Sequence, residues 1–313
     1  MFDLTTRYMS LDLRNPIVIA SSGMVSTLAG IRQCEQAGAG AVVLKSVFEE
    51  QHRGSGPAPP GKGAYWEGME PGRLIREAVR TASIPLLGSL CCTSDPGWSA
   101  GAAMLQKAGV RGIELNVPPA VSAEEAAATA GASKGSRTGY GERCVRALRS
   151  VRAKTSLPLA VKLSPYVEAL PRLVRRLAEK GAAAVALFNR HYRFDVDTET
   201  LSIIPAEQMG SQSDYYEPLR WTSLLAGRVG CDLSAAQGIS DAEAALKLVL
   251  AGATTVQLCS TVMIHGTARI TAILRSMGEW MERHGYAEIG RFRGLLSQKK
   301  SPSPWEYEET EYR

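Results

Sequence analysis

Short apolar runs recur along the chain at a nearly constant spacing. In four of them a stretch of helical period is followed by a glycine and then by a mostly apolar segment. These glycines stand at positions 38, 109, 181 and 252, so that successive repeats are 71, 72 and 71 residues apart. Because glycine tolerates the positive φ that commonly ends a helix, each repeat predicts a helix end followed by a buried strand. The predicted segments are 37–44, 108–115, 180–187 and 251–258.

A second set of apolar runs lies between these repeats, at 15–20, 84–89, 157–162 and, less clearly, 231–236. Three of them carry proline near the first residue of the strand, where a missing N–H does least harm. The two sets together predict eight strands, each followed by a helix. Nearly continuous apolar strands that alternate with helices indicate a parallel sheet, and eight units favour an α/β fold of the (β/α)8 TIM barrel type over a doubly wound open sheet. Chance recurrence in a chain rich in alanine and glycine is the alternative.

Three connections exceed the two to six residues usual between such elements. They span 47–71, 117–138 and 190–217, and each follows a predicted strand. We therefore expect long loops on the C-terminal face, where barrels keep their active sites. The alternating segment 192–204 predicts a small hairpin. The domain prediction is one barrel over residues 1–297 and a C-terminal extension over residues 298–313.

The composition is that of an ordinary globular protein, with 313 residues, 45% hydrophobic and 21% charged. Length alone allows one or two domains. No apolar run suits a membrane span and the first residues show no targeting segment, so a cytoplasmic protein without a membrane partner is expected. The net charge is +5, and the sequence contains no block of like charges, so a nucleic-acid partner has little support. The small positive charge would equally fit binding of a phosphate group on a small ligand. The six cysteines lack metal-ligand spacing, so we expect free thiols and no metal site.

Polar residues stand directly after the predicted strands and would form a ring on the C-terminal face. An ammonium group at the end of an apolar strand needs a partner or a ligand, so Lys45 and Lys162 are interpreted as functional rather than structural. Asn116 and Asn189 could equally cap loops. Gly238 and the turn at 259–261 follow the last two strands, where barrels of this type present N–H groups to phosphate. The ring contains Ala20, Ser21, Ser22, Gly23, Lys45, Ser46, Ser89, Asn116, Lys162, Asn189, Gln237, Gly238, Cys259, Ser260 and Thr261.

Several motifs together resemble the class 1 dihydroorotate dehydrogenase family. They read NPIVIASSG at 15–23, AGAVVLKS at 39–46, ELN at 114–116, LAVKLSP at 159–165, GATTVQL at 252–258, HGY at 284–286 and FRG at 292–294. The resemblance runs in order over residues 4–296. LFNR at 187–190 and PLRW at 218–221 are most similar to the uncharacterised dihydroorotate dehydrogenase-like branch of that family.

The resemblance implies an FMN-binding barrel that transfers hydride between flavin and a small molecule with an activated C–C bond. It implies catalytic roles for Lys45, Asn116, Lys162 and Asn189. Lys162 would lie by N1 and O2 of the flavin, where a fixed cation stabilises the reduced, anionic form. It also implies a homodimer and, where electrons leave the flavin, a redox partner protein. The implied FMN-binding residues are Ala20, Ser21, Ser22, Gly23, Lys45, Ser46, Asn116, Lys162, Gly238, Cys259 and Ser260. The family has Gly-Gly and Gly-Thr at the two phosphate turns, where this chain has Gln237 and Cys259 as the first residues.

One departure from the family concerns the general base. Where the family has Ser-Cys-Pro-Asn after the asparagine, with cysteine as the base, this chain reads Val117, Pro118 and Pro119. Proline cannot accept a proton, so dihydroorotate oxidation by the cysteine route is not expected. No replacement is favoured among Ser133, Ser136, Tyr140, His191, Tyr192, Cys91 and Cys92. Two alternatives stay open: a non-catalytic flavin- or phosphate-binding subunit of a redox complex, and a flavin-free lyase that uses Lys162 as a Schiff-base nucleophile.

Overall fold

The structure is a computed structural model, and it describes residues 2–49, 70–118, 139–167, 169–190, 194–205 and 210–308. At its centre eight parallel strands close into a barrel in the order β11-β12-β3-β4-β5-β6-β7-β8, which confirms the predicted (β/α)8 fold. In chain order the strands are β1 (Thr6–Tyr8), β2 (Leu11–Leu13), β3 (Ile17–Ile19), β4 (Ala41–Phe48), β5 (Leu86–Cys91), β6 (Gly112–Asn116), β7 (Leu159–Leu163), β8 (Ala184–Leu187), β9 (Phe194–Asp197), β10 (Ser202–Pro205), β11 (Asp232–Ala236) and β12 (Thr255–Leu258).

Helices pack around the outside of the barrel and bury their apolar faces against the strands. Several begin at side-chain caps that satisfy free N–H groups: Thr27 accepts from Gly30 N, and Asp241 accepts from Ala244 N. The described α-helices are α1 (Leu28–Gln36), α2 (Pro71–Thr81), α3 (Asp95–Ala108), α4 (Tyr140–Arg152), α5 (Leu170–Glu179), α6 (Tyr216–Leu225), α7 (Ala242–Ala251), α8 (Ser260–His265) and α9 (Ala268–Arg283). Short 3-10 turns occur at Met24–Ser26, Gln212–Tyr215, Ile289–Arg291, Gln298–Lys300 and Pro304–Tyr307.

The repeat that predicted the barrel is visible in the backbone. The four repeat glycines, at 38, 109, 181 and 252, have φ values of 107°, 90°, 91° and 122°. Each stands between a helix and a strand, as the sequence predicted. The prolines of the second set lie one residue before their strands rather than within them. Their carbonyls still join the sheet, since Pro16, Pro85 and Pro158 each accept a hydrogen bond from a neighbouring strand.

A hairpin closes the N-terminal end of the barrel. Strands β1 and β2 pair antiparallel through a two-residue turn at Met9 and Ser10, where both residues have positive φ. Met9 N donates to Asp232 Oδ2 over 2.8 Å, at the start of β11. Tyr8, Met9 and Leu13 are buried against apolar residues inside the barrel. The interior is therefore packed at this end, and the polar ring lies at the opposite end.

Other predicted segments lie outside the barrel. Strands β9 and β10 pair antiparallel, which confirms the hairpin predicted for 192–204 over its described part. The division at residue 297 stays a prediction; in the described part of the tail, Lys299 Nζ donates to Gly227 O over 2.6 Å. No disulfide joins the six cysteines. Within the described ranges no helix is long and apolar enough to cross a membrane.

Glu49 connects the end of β4 to the start of α3. Its carboxylate accepts hydrogen bonds from Thr93 N at 2.9 Å and Ser94 N at 3.1 Å, and from the hydroxyl groups of both residues. Burial raises the pKa of Glu49, but these hydrogen bonds outweigh burial and lower the pKa from 4.5 to about 2. The ionised carboxylate therefore stabilises the fold.

Replacing Glu49 by glutamine is expected to lower the free energy of unfolding at pH 7 by about 2–3 kcal/mol. Because the folded pKa lies below the unfolded one, the carboxylate's contribution is complete above about pH 4.5 and disappears as the pH falls towards 2. Urea unfolding of wild type and E49Q from pH 7 down to pH 3 should show the two curves converging. The control variant E217Q, at an exposed position, should have the wild-type free energy of unfolding at every pH. A constant gap between wild type and E49Q over this range would contradict the assignment.

Candidate active site

A chain of three hydroxyl groups lines one side of the C-terminal end of the barrel. Ser46 Oγ lies 2.8 Å from Ser89 Oγ and 3.2 Å from Ser21 Oγ. The register between β4 and β5 shifts between Val43 and Ser46, because β4 advances three residues while β5 advances two. This bulge reverses the inside–outside alternation of β4, since Val43 faces the barrel interior and an unbroken strand would turn Ser46 outward. The bulge thus places Ser46, beside Lys45, in the ring.

Two asparagines and a glutamine form a second polar group across the ring. Asn189 Nδ2 donates to Asn116 Oδ1 over 2.7 Å, and Gln237 Nε2 donates to the carbonyl of Asn189 over 2.5 Å. Gln237 Oε1 is buried without a hydrogen-bond partner in the described residues. The structure therefore brings Asn116 and Asn189 together.

Below this ring, three buried side chains join two charges through an amide. Lys162 Nζ donates to Gln257 Oε1 over 2.7 Å, and Gln257 Nε2 donates to Glu114 Oε2 over 2.7 Å. Lys162 Nζ lies 3.5 Å from Glu114 Oε1. The exposed fractions are 1% for Glu114, 2% for Gln257 and 8% for Lys162. Lys162 therefore has the partner that a buried ammonium needs, and it is still the most exposed member of the three.

Cationic side chains converge on the thiol of Cys259, which follows β12. Burial raises the pKa of Cys259, and three cations act in the opposite direction: Lys162, Arg190 and Lys45. Burial also lowers the pKa of Lys45, and the positive charge of Arg190 adds to this effect. The thiol is therefore protonated at neutral pH. A ligand that reaches this part of the ring meets a positive field.

The two predicted phosphate turns have free N–H groups. Gly238 has a φ of 65°, and neither its N–H nor that of Ile239 has an acceptor in the described part of the chain. The same holds, over the same ranges, for the N–H groups of Ser260 and Thr261 at the other turn. Ser260 Oγ accepts from Gly210 N over 3.3 Å. Free donors at two adjacent turns can bind an anion.

The segment 20–23 follows β3, which lies between β12 and β4 in the barrel. Ala20 N donates to Leu258 O over 2.8 Å, which ties the segment to β12. Ala20 and Ser22 are buried, whereas Gly23 is exposed, and a Cβ atom added there would have no neighbour within 4 Å. There is therefore open space beside the segment at Gly23.

The candidates for a general base are only partly described. Four candidates lie outside the described residues: Ser133, Ser136, His191 and Tyr192. Pro119, in the segment that replaces the family's cysteine motif, also lies outside them. Tyr140 accepts a hydrogen bond from Ser164 N over 2.8 Å, and burial raises its pKa far above the usual value. Cys92 belongs to the hydrophobic core, whereas Cys91 is half-buried and lies within electrostatic reach of Lys45. Val117, the first residue of the segment that departs from the family's cysteine motif, is buried.

Sequence reasoning did not single out three residues of this site. Glu114 and Gln257 appeared only within motifs, and Arg190 only as a neighbour of Asn189. The available signal was a charged or amide residue inside an otherwise apolar parallel strand, because such a residue must find a partner in the barrel interior.

Comparison with known proteins supports the resemblance. No protein-family model matches the chain. The catalytic subunit of dihydroorotate dehydrogenase B (NAD(+)) from Methanothermobacter thermautotrophicus is 26% identical over 94% of this chain and 98% of its own length. The protein of the same name from Thermoplasma acidophilum is 25% identical over 92% of this chain and 97% of its own length. The chloroplastic dihydropyrimidine dehydrogenase (NADP(+)) of Arabidopsis thaliana is 25% identical over 46% of this chain and 37% of its own length. These matches confirm the resemblance to dihydroorotate dehydrogenases and the expectation of a dehydrogenase-type enzyme.

Proposed function

We propose that this dihydroorotate dehydrogenase-like chain is an FMN-dependent oxidoreductase that transfers hydride between flavin and a small molecule with an activated C–C bond. The observation that carries the proposal is the buried ammonium of Lys162, which Gln257 and Glu114 hold beneath the polar ring. A fixed cation at this place suits the negative charge that a flavin gains on reduction. The names of the relatives, dihydroorotate and dihydropyrimidine dehydrogenases, support the same class of reaction.

The residues present fit FMN. The phosphate would bind the free N–H groups of the turns at Gly238 and Ser260. Gln237 replaces a glycine of the family, but its φ of 115° is one that glycine would adopt, and its side chain turns to the Asn189 carbonyl. The substitution therefore leaves the turn open. The isoalloxazine would lie along Ala20, Ser21, Ser22 and Gly23, with Lys45, Ser46, Asn116 and Lys162 at its polar edge and Cys259 beside the phosphate turn.

When bound, FMN supplies a two-electron acceptor for hydride. The chain's own residues bind and orient the cofactor and the substrate. Asn116 and Asn189 fix each other through one hydrogen bond, which in the described residues leaves the Asn116 Nδ2 donors for a ligand. Lys45 and Arg190 add positive charge at the mouth, so a substrate with an anionic or strongly polar group is favoured. We propose Lys45, Asn116, Lys162 and Asn189 as the residues that contact flavin or substrate during hydride transfer.

The substrate we propose is not dihydroorotate oxidised by the cysteine-base route, because the segment that carries that base in the family reads Val117, Pro118 and Pro119 here. This departure also favours a second candidate function, a non-catalytic flavin-binding subunit of a redox complex. The Schiff-base alternative is not proposed. That chemistry needs an amine free to attack a carbonyl carbon, whereas Lys162 Nζ is held by an amide oxygen and a carboxylate.

We also propose a cytoplasmic homodimer that passes electrons to a separate redox protein. Two of the relatives are named catalytic subunits of an NAD(+)-linked enzyme, which supports a partner that carries the electrons onward. In the described residues no group of three or more His, Cys, Asp or Glu side chains could hold a metal ion. The small-molecule substrate would enter from the C-terminal face.

Heating the purified protein is expected to release FMN in a ratio near one per chain, identified by its mass and visible absorption spectrum. The holoprotein is then mixed anaerobically with a panel of dihydropyrimidines and related compounds with activated C–C bonds, and bleaching of the flavin band is followed. Bleaching by a member of the panel supports the enzyme. A flavin that stays oxidised until a partner protein is added supports the non-catalytic subunit. Failure to bind FMN even after reconstitution would overturn both.

A further inference from the structure

The buried contact between Lys162, Gln257 and Glu114 has a direction that chemistry fixes. An ammonium group only donates hydrogen bonds and an ionised carboxylate only accepts them. The amide oxygen of Gln257 must therefore face Lys162, and its NH2 group must face Glu114, as the two distances of 2.7 Å show. A side chain without both a donor and an acceptor could not bridge these charges.

Gln257 also hydrogen-bonds to both members of a buried ion pair. Lys162 Nζ stays 3.5 Å from Glu114 Oε1, and this carboxylate oxygen is buried without a hydrogen-bond partner in the described residues. Of the three ammonium donors, one goes to Gln257. The other two have no hydrogen-bond acceptor within the described ranges, and Lys162 is the member of the group nearest to solvent. The arrangement leaves donors available at the ring.

Strand register explains why these three residues meet. Asn116 and Lys162 are paired between β6 and β7, and Glu114 lies two residues before Asn116 on the same inward face of β6. Strand β12 lies three strands away from β7 around the barrel, so Gln257 reaches Lys162 across the interior. Beneath the group lies Tyr8, whose pKa is raised by burial and by the negative charge of Glu114. The charges are thus closed off from the N-terminal end.

We propose that Glu114 and Gln257 are positioning residues that hold Lys162 as a fixed ammonium with free donors directed to the bound ligand. Glu114 supplies the counter-charge 3.5 Å from the ammonium group, and Gln257, which hydrogen-bonds to both groups, sets the place of Lys162. The identity of the ligand as FMN rests on the proposed function above, whereas the state of Lys162 is a property of the chain alone.

The first test needs no flavin and measures the acetylation of each lysine by acetic anhydride, read by mass spectrometry at neutral pH. In E114Q the buried ammonium loses its counter-charge and is held less firmly in the group, so Lys162 should be acetylated about fivefold faster or more. The matched control is E243Q, which removes the ion-pair partner of the half-buried Lys247, 2.7 Å away. It should leave Lys162 unchanged. Equal labelling of Lys162 in wild type and E114Q would overturn the role of Glu114.

Folding of E114Q is checked by circular dichroism and thermal unfolding. If E114Q does not fold, the double variant E114Q/K162M removes both charges and is expected to fold, since the defect would come from the unpaired ammonium. Failure of the double variant as well would overturn the charge coupling.

The second test separates positioning from simple packing. Q257M keeps both charges and nearly the same side-chain volume, but it removes the amide that hydrogen-bonds to Lys162 and Glu114. The affinity for reduced FMN should then fall about tenfold more than the affinity for oxidised FMN, because only the reduced form depends on the fixed cation. Equal weakening of both forms would show a merely structural role. If neither wild type nor variant binds FMN, the proposed function fails, while the labelling result still decides how Glu114 supports Lys162.

Discussion

Replacing Lys162 by methionine is expected to lower the affinity for reduced FMN, relative to oxidised FMN, by about 10²–10³-fold. The reason is that methionine fills similar space but removes the buried cation, and it leaves Glu114 as an uncompensated negative charge. For a two-electron couple this ratio corresponds to a fall of about 60–90 mV in the midpoint potential of the bound flavin. The potential is measured by slow reduction with an indicator dye, which requires no knowledge of the natural substrate.

Two controls separate charge from stability in this experiment. K162M leaves a buried carboxylate without its partner, which should cost about 3–5 kcal/mol of folding free energy. The double variant E114Q/K162M removes both charges, so it should recover most of the stability while the potential stays below that of wild type. K300M removes an exposed lysine from the C-terminal segment and should change neither quantity. A K162M flavin with the wild-type potential would contradict the role proposed for Lys162.

The barrel could be predicted because its signals are local. A glycine that ends a helix and the apolar strand after it lie within a few residues of each other, and four such pairs at equal spacing fix the number of units. The structure confirms the eight strands and the hairpin at β9 and β10. The same reasoning placed the ends of the strands on one face, so Lys45, Asn116, Lys162 and Asn189 could be assigned to one ring before their distances were known.

The internal arrangement of the site could not be predicted, because it depends on register. A bulge in β4 turns Ser46 inward, although the alternation of the sequence would turn it outward. The partnership of Gln257 with Lys162 depends on which strands face each other across a closed barrel, and no spacing along the chain encodes that. The general base that acts on the substrate could not be predicted, because most of its candidates belong to the long predicted loops, outside the described residues.

Replacing Gly238 by alanine is expected to destabilise the fold by about 2–4 kcal/mol and to weaken FMN binding at least tenfold. Gly238 has a φ of 65°, which disfavours any side chain. A methyl group there would also overlap the backbone N of Tyr215 and lie 2.8 Å from Asp214 C and 3.0 Å from Gln212 O. Backbone atoms cannot rotate away, so the turn at Gln212–Tyr215 and the turn that presents the Gly238 N–H must move apart.

Gly285 supplies the matched control for this prediction. Its φ is 71°, close to that of Gly238, but a Cβ atom added to it would meet nothing within 4 Å. G285A therefore carries the backbone cost alone, about 1–2 kcal/mol, and should bind FMN as wild type does. Urea unfolding gives the two stabilities, and quenching of flavin fluorescence gives the two affinities. If G238A and G285A lose equal stability and both keep full affinity, the Gly238 turn does not hold the phosphate.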